Sequence, residues 1–228
     1  HVATMVLQSA EALIEAKQFR EACDLLLHVD TMTHESNNAS SSPALDFQRR
    51  RVRIAMTKQL MIARHGQRRF NSALVMGKQL IATAKMTPAL WELPAAFLNV
   101  SSVLSAAGKH RDALGYSYLA YDHITDFLAA IDAPGTNAHM AAALRLEQTS
   151  SHSSIEALDQ ALAEFRLLDP QQSVSSAEGA AAEPAADALN EQQKARWGGA
   201  LALVYRSIAC EQEHLGQVAS ALLTYRVG

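Results

Sequence analysis

The sequence predicts an all-α fold made of antiparallel helix hairpins, and three observations carry that expectation. Apolar residues recur at three- and four-residue steps nearly everywhere, with no sustained strand-like alternation. The composition is that of a helical protein: of 228 residues, 49% are hydrophobic, only 6% are aromatic and six are proline. The helices also fall into pairs, because five second helices open alike: Glu21-Ala22-Cys23, Ser72-Ala73-Leu74, Asp112-Ala113-Leu114, Glu156-Ala157-Leu158 and Ser220-Ala221-Leu222. An alanine at that place lets two antiparallel helices approach where a larger side chain would hold the axes apart.

Taken in order, the periodicity predicts helices at about 2–17, 19–32, 45–65, 69–86, 89–107, 110–131, 137–150, 154–168, 189–214 and 217–226. Pro88 cannot continue a helix, Pro134-Gly135 makes a turn, and Leu168-Asp169-Pro170 ends a helix. Before most second helices lies a short turn, at Lys17-Gln18, Gly66-Gln67, Gly108-Lys109 and Gly216-Gln217, while the fourth uses Ser150 to Ser154. The alanines are spaced 51, 40, 44 and 64 residues apart, and the two long steps contain two polar stretches. Residues 33–44 are rich in Ser and Asn, and 171–187 are low in complexity, so both are expected to be flexible loops. The unit is therefore a hairpin of roughly 40 residues repeated about five times. Stacked, such hairpins make a superhelical solenoid, a single domain over 1–228 whose concave face is lined by the first helix of each pair. Because the chain begins at His1 and stops just after a periodic run, it reads as a fragment of a longer protein.

The closest instance of the pattern is Leu98-Asn99-Val100-Ser101-Ser102-Val103-Leu104 followed by Gly108-Lys109-His110-Arg111-Asp112-Ala113-Leu114. A small residue late in the first helix, glycine in the turn, an aromatic after it and alanine opening the second helix resemble the tetratricopeptide repeat (TPR). The longer period is most similar to the kinesin light chain variety. His110 and Val218 stand where that family usually has an aromatic. The resemblance implies a scaffold or adaptor that holds an extended peptide in a groove, in the cytoplasm and in association with the cytoskeleton or a motor. Carried over by position, Asn99 falls where such repeats place a groove asparagine, with Ser102 one face-step on. Gln8, Lys58, Gln59 and Arg206 occupy similar places in their own helices.

Catalytic signatures fail on inspection. A phosphate loop needs G-x-x-x-x-G-K-[ST] so that glycine amides cradle phosphate, but before Gly108-Lys109 the first glycine position holds Val103, and His110 follows. Gly115-Tyr116-Ser117-Tyr118-Leu119 starts like a nucleophile elbow, yet Leu119 replaces the second glycine and no strand precedes it. Ser117 reads instead as a small residue on the Ala113, Ser117, Ala120 stripe facing the preceding helix. Leu114, Tyr118, Tyr121 and Thr125 form a neighbouring stripe for packing between repeats. Nine histidines include no HExxH or other i, i+4 metal pair, and Cys23 and Cys210 give neither a disulfide framework nor a metal spacing. No enzyme activity, cofactor or small-molecule substrate is expected. Nor is membrane insertion, since no apolar run reaches the length of a span.

The net charge of −3 conceals an asymmetry. Residues 47–91 hold ten basic side chains and no carboxylate, whereas the flanking segments carry −5 and −8. Arg49, Arg50, Arg51 and Arg53 open one helix, Lys58 and Arg64 follow along it, and Arg68 and Arg69 occupy the turn. One reading is a solvated face neutralised by acidic neighbours. The other is a patch for an acidic peptide, an acidic tail or nucleic acid. Only Phe47 and Phe70 lie near the arginines, so stacking platforms for sequence-specific nucleic-acid recognition are not expected. The leading function is thus binding of an extended, acidic peptide or partner protein. The alternatives are a helical regulatory domain of an enzyme complex or nonspecific RNA binding through 47–91.

Overall fold

The computed structural model describes residues 2–35, 43–86, 92–132 and 184–227, and all eight elements among them are α-helices. They are α1 (Val2–Glu15), α2 (Phe19–Glu35), α3 (Pro43–Gly66), α4 (Phe70–Lys85), α5 (Glu92–Ala106), α6 (His110–Asp132), α7 (Pro184–His214) and α8 (Val218–Val227). Consecutive pairs form hairpins, with α1, α3, α5 and α7 as first helices. The chain divides into two compact units, residues 1–117 and 118–228.

All four hairpin turns are built alike. The second residue after each first helix takes a left-handed conformation: Lys17 at φ 60°, Arg68 at 58°, Gly108 and Gly216 at 73°. The next amide reaches back to a carbonyl five residues earlier: Gln18 to Leu13 at 2.8 Å, Arg69 to Arg64 at 2.9 Å, Lys109 to Leu104 at 2.9 Å and Gln217 to Gln212 at 2.8 Å. That geometry satisfies the orphan carbonyls of a helix end. The second helix then starts when the alanine amide (Ala22, Ala73, Ala113, Ala221) bonds the carbonyl four residues before it.

The sequence marks Gly66 as the turn glycine of the second hairpin, and the structure places it differently. Gly66 is the last residue of α3, and an added Cβ there would sit 2.5 Å from the Phe19 ring. Its value is the close approach of α3 to α2, while Arg68 bears the positive φ.

The crossing alanines Ala22, Ala73 and Ala113 are fully buried and Ala221 is 1% exposed, as the spacing predicts. Around them the hairpins of the first unit solve one volume problem in three ways. Twelve residues before and four after the alanine stand Ala10 and Leu26, Met61 and Gly77, and Ser101 and Ser117, all buried. A small residue meets a large one, then large meets small, then two hydroxyls meet. Ser101 Oγ donates to the Ala113 carbonyl at 2.9 Å and lies 2.8 Å from Ser117 Oγ, so neither buried hydroxyl lacks a partner. The Ala113, Ser117, Ala120 stripe is fully buried.

Two apolar clusters lie on either side of α3. Met56, Leu60 and Ala63 join Ala10, Ala22, Cys23 and Leu26 of the first hairpin. Ile54 and Met61 join Leu80, Ala96, Val100 and Val103 of the following helices. In the second unit α7 lies against the later turns of α6: Tyr121 and Tyr205 rings are 5.6 Å apart, Phe127 and Trp197 4.3 Å, and Gln212 Nε2 donates to Tyr118 Oη at 3.2 Å. The tyrosine stripe packs between hairpins, as expected.

Helix ends differ in detail. α2 continues to Glu35 and α3 starts at Pro43, so both ends of the expected 33–44 loop are helical. Likewise Pro184 to Asp187 belong to α7, since proline suits the first helical turn. The rest of both stretches, and the expected helices at 137–150 and 154–168 with Ala157, lie outside the described residues.

Three substitutions separate crossing from surface. Gly77→Ala puts a Cβ 2.5 Å from Val100 Cγ2, an overpacking cost of about 1–3 kcal/mol that outweighs the helix-propensity gain, so thermal denaturation should show a lower Tm. Gly115→Ala meets nothing within 4 Å and should stabilise by about 0.5–1 kcal/mol. Arg68→Gly relieves a left-handed non-glycine residue and should stabilise by about 1 kcal/mol. A loss of stability there would show that the turn geometry is wrong.

Candidate functional site

Counted back fourteen residues from the crossing alanine, Gln8, Gln59 and Asn99 occupy the same place on α1, α3 and α5. The hairpins stack in chain order through the clusters around α3, so these three amide side chains lie at one level of consecutive first helices. Gln8 is exposed, and Gln59 and Asn99 are half-buried. Each can both donate and accept, which is what pairing with an extended peptide backbone requires. Ser102, one helical turn after Asn99, is exposed. Lys58 and Arg206 are both exposed but stand one residue off this row, and the equivalent place in α7 is Ser207. That count from the alanine is the signal that finds Ser207 and sets Arg206 aside. Arg206 and Ser207 belong to the second unit, and Gln8, Gln59 and Asn99 to the first.

The basic segment does not form one patch. At about 100° per residue, Arg49, Arg53 and Arg64 fall within about 60° of one another on α3, whereas Arg51, Lys58 and Gln59 cluster within about 100° on the opposite side. Ile54 and Met61 lie on one side between them, whereas Met56, Leu60 and Ala63 border and partly overlap the Arg49 side. The Arg49 side is the one facing the second helices. There Arg50 donates to the Met86 carbonyl just past the end of α4 at 3.0 Å, a cation on exposed helix-end carbonyls. Arg64 donates to Gln67 Oε1 at 3.4 Å, and Gln67 Nε2 lies 3.7 Å from Cys23 Sγ on α2. Burial pushes the Cys23 thiol up, and the positive charges of Arg64 and Arg69 partly offset it. Arg49 lies 3.7 Å from Asp46 in an exposed pair that contributes little to stability. Arg68 forms the turn, and Arg69 precedes α4 without a side-chain cap bond.

Among the described residues no group of three or more His, Cys, Asp or Glu could hold a metal ion. Nor is any described helix long and apolar enough to cross a membrane. Cys23 and Cys210 are free thiols. Cys210 Sγ and Tyr225 Oη are 3.4 Å apart, and Tyr225 Oη donates to Glu213 at 3.4 Å. The contact with Cys210 comes first among the causes that push the phenol up to about 12.

Fold and site together define a protein of antiparallel helix hairpins, TPR-like in the register of its turns and crossing residues, with amides at one register position of α1, α3 and α5. It is similar to the crystal structure of nearly identical TPR-like repeats assigned to a kinesin light chain of Podosopora anserina: 16% identity, all of this chain and 95% of that one, TM-score 0.47. No protein-family model matches the chain, and no curated protein sequence matches it.

The structural and surface cations separate by stability. Arg50→Ala removes a charged hydrogen bond to Met86 and should cost about 0.5–1 kcal/mol. Lys58→Glu, on an exposed face, should stay within about 0.5 kcal/mol of the parent. Equal losses in chemical denaturation would refute the division of α3 into two sides.

Proposed function

We propose that the 228 residues act as one non-catalytic interaction module that binds an extended, acidic peptide along the first helices. The single observation that supports it is the row Gln8, Gln59, Asn99, three amide side chains at one level of consecutive hairpins. Amides at that spacing pair with the backbone of a chain that lies across the helices, which fixes its direction without reading its sequence. Lys58 stands beside Gln59 on the same side of α3 and supplies the attraction for carboxylates. The cations of the opposite side add to the long-range field but make no contact with the ligand.

Fluorescence anisotropy with a labelled, unstructured Glu- and Asp-rich peptide tests this. Asn99→Ala should weaken binding by about 0.5–1.5 kcal/mol, roughly a factor of 2–10 in Kd, mainly through faster dissociation. Lys58→Glu should slow association and flatten its salt dependence. Arg53→Glu should change either far less. Equal effects of Arg53→Glu and Lys58→Glu, with no effect of Asn99→Ala, would replace the groove with diffuse electrostatic binding of the kind nonspecific RNA contact produces.

A further inference from the structure

The turns of the first three hairpins share a feature that the turn itself does not require. The stretches that lead into their crossing alanines are Lys17-Gln18-Phe19-Arg20-Glu21, Arg68-Arg69-Phe70-Asn71-Ser72 and Gly108-Lys109-His110-Arg111-Asp112. Each carries two cations: Lys17 and Arg20, Arg68 and Arg69, Lys109 and Arg111. The stretch before Ala221, Gly216-Gln217-Val218-Ala219-Ser220, carries no charge, yet it makes the same left-handed turn and the same return hydrogen bond. Closing a hairpin therefore does not call for these cations.

All six side chains are exposed, and among the described residues none of them makes a hydrogen bond or an ion pair. The two carboxylates of these stretches, Glu21 and Asp112, stand in the first turns of α2 and α6, where they answer the positive end of the helix dipole. The three turns lie side by side. Gly66 at the end of α3 packs on the Phe19 ring at the start of α2, and Phe70 at the start of α4 packs on the cluster that holds Val103 and Leu104 near the end of α5. The cations thus follow one edge of the unit 1–117 in a line. Phe19 and Phe70 are half-buried in the packing. The edge therefore presents no exposed ring for a base to stack on and no apolar group to enter a bilayer.

From this edge we infer a second binding surface: the turns of the first three hairpins hold the phosphate backbone of double-stranded nucleic acid without reading its bases. A line of unpaired cations matches a linear polyanion rather than a single small anion. A duplex carries one charge per about 1.7 Å of its axis under a condensed counterion layer, so each cation that meets a phosphate releases counterions. A flexible acidic peptide, with sparser charge, yields less on the same contacts. The edge lies two to five residues ahead of the crossing alanines, whereas Gln8, Gln59 and Asn99 lie fourteen ahead. The inference thus stands apart from the peptide-binding reading.

Fluorescence anisotropy with short labelled RNA and DNA duplexes of unrelated sequence, in potassium chloride from about 50 to 200 mM, tests it. The 228-residue chain should bind both, with log Kobs falling against log[salt] at a slope of about −4 to −5. Joint reversal of Arg20, Arg69 and Arg111 to Glu should weaken binding about tenfold or more and make the slope shallower by about 3. These positions open second helices, where a carboxylate suits the dipole, so the helical circular dichroism spectrum should be retained. Joint reversal of Arg53, Lys78 and Lys85 to Glu changes the net charge equally away from the edge and should leave the slope unchanged. Asn99→Ala should not alter duplex binding. Equal losses in the two triple variants would overturn the inference in favour of bulk charge. Absence of duplex binding at the lowest salt would overturn it outright, and so would binding of one duplex without the other, which needs a contact beyond phosphate. A Glu-rich peptide that loses affinity in the Arg20, Arg69, Arg111 variant while the duplexes do not would replace nucleic acid with an acidic protein at this edge.

Discussion

The closeness of the two helices in each hairpin is the constraint from which the other features follow. A left-handed residue in the middle of a three-residue turn returns the chain so sharply that the second helix crosses the first within its opening turn, where only a methyl group fits. Ala22, Ala73 and Ala113 are buried without remainder at those crossings. What surrounds them is free to vary as long as the volume is conserved: Leu26 beside Ala10, Gly77 beside Met61, a hydroxyl pair at Ser101 and Ser117. Interiors tolerate this kind of exchange because they respond to total volume and shape rather than to side-chain identity. The third solution adds polar atoms, and it works because both hydroxyls find partners within the crossing.

Fixing the hairpin fixes the next interface as well. Once the crossing sets the rotation of a first helix, its residues seventeen, thirteen and ten positions ahead of the alanine must face the preceding hairpin. α3 shows the consequence most fully, being packed on two sides, with Met56, Leu60 and Ala63 toward one hairpin and Ile54 and Met61 toward the other. Its cations are therefore divided by packing into two groups with separate roles: one stitches helix ends and turns together through Arg50 and Arg64, the other stands with Gln59 on the far side. The segment's total charge governs the field at a distance, where individual positions are blurred by screening. At contact range the strip on which a cation emerges decides what it can touch.

Much of this was legible in the sequence, and the reason is local. Helix periodicity, the crossing alanines and the hairpin turns are properties of short stretches, each dictated by backbone hydrogen bonding within a few residues. The buried stripe of Ala113, Ser117 and Ala120 and the tyrosines of α6 as packing groups followed from helical spacing alone. Two matters were decided only by tertiary structure. Gly66 looks like a turn residue, but the ring of Phe19, some forty-seven positions away, is what requires it to be small. The basic segment looks like one patch, because charge counted along a chain carries no record of which side of a helix is covered. The places of Gln8, Gln59 and Asn99, by contrast, can be counted in the sequence itself from the alanines that open the second helices. The sequence by itself determined the elements and the joints between neighbours in the chain. Which faces those joints leave open was decided by packing between residues distant in sequence, because burial depends on the three-dimensional surroundings and not on the residue alone.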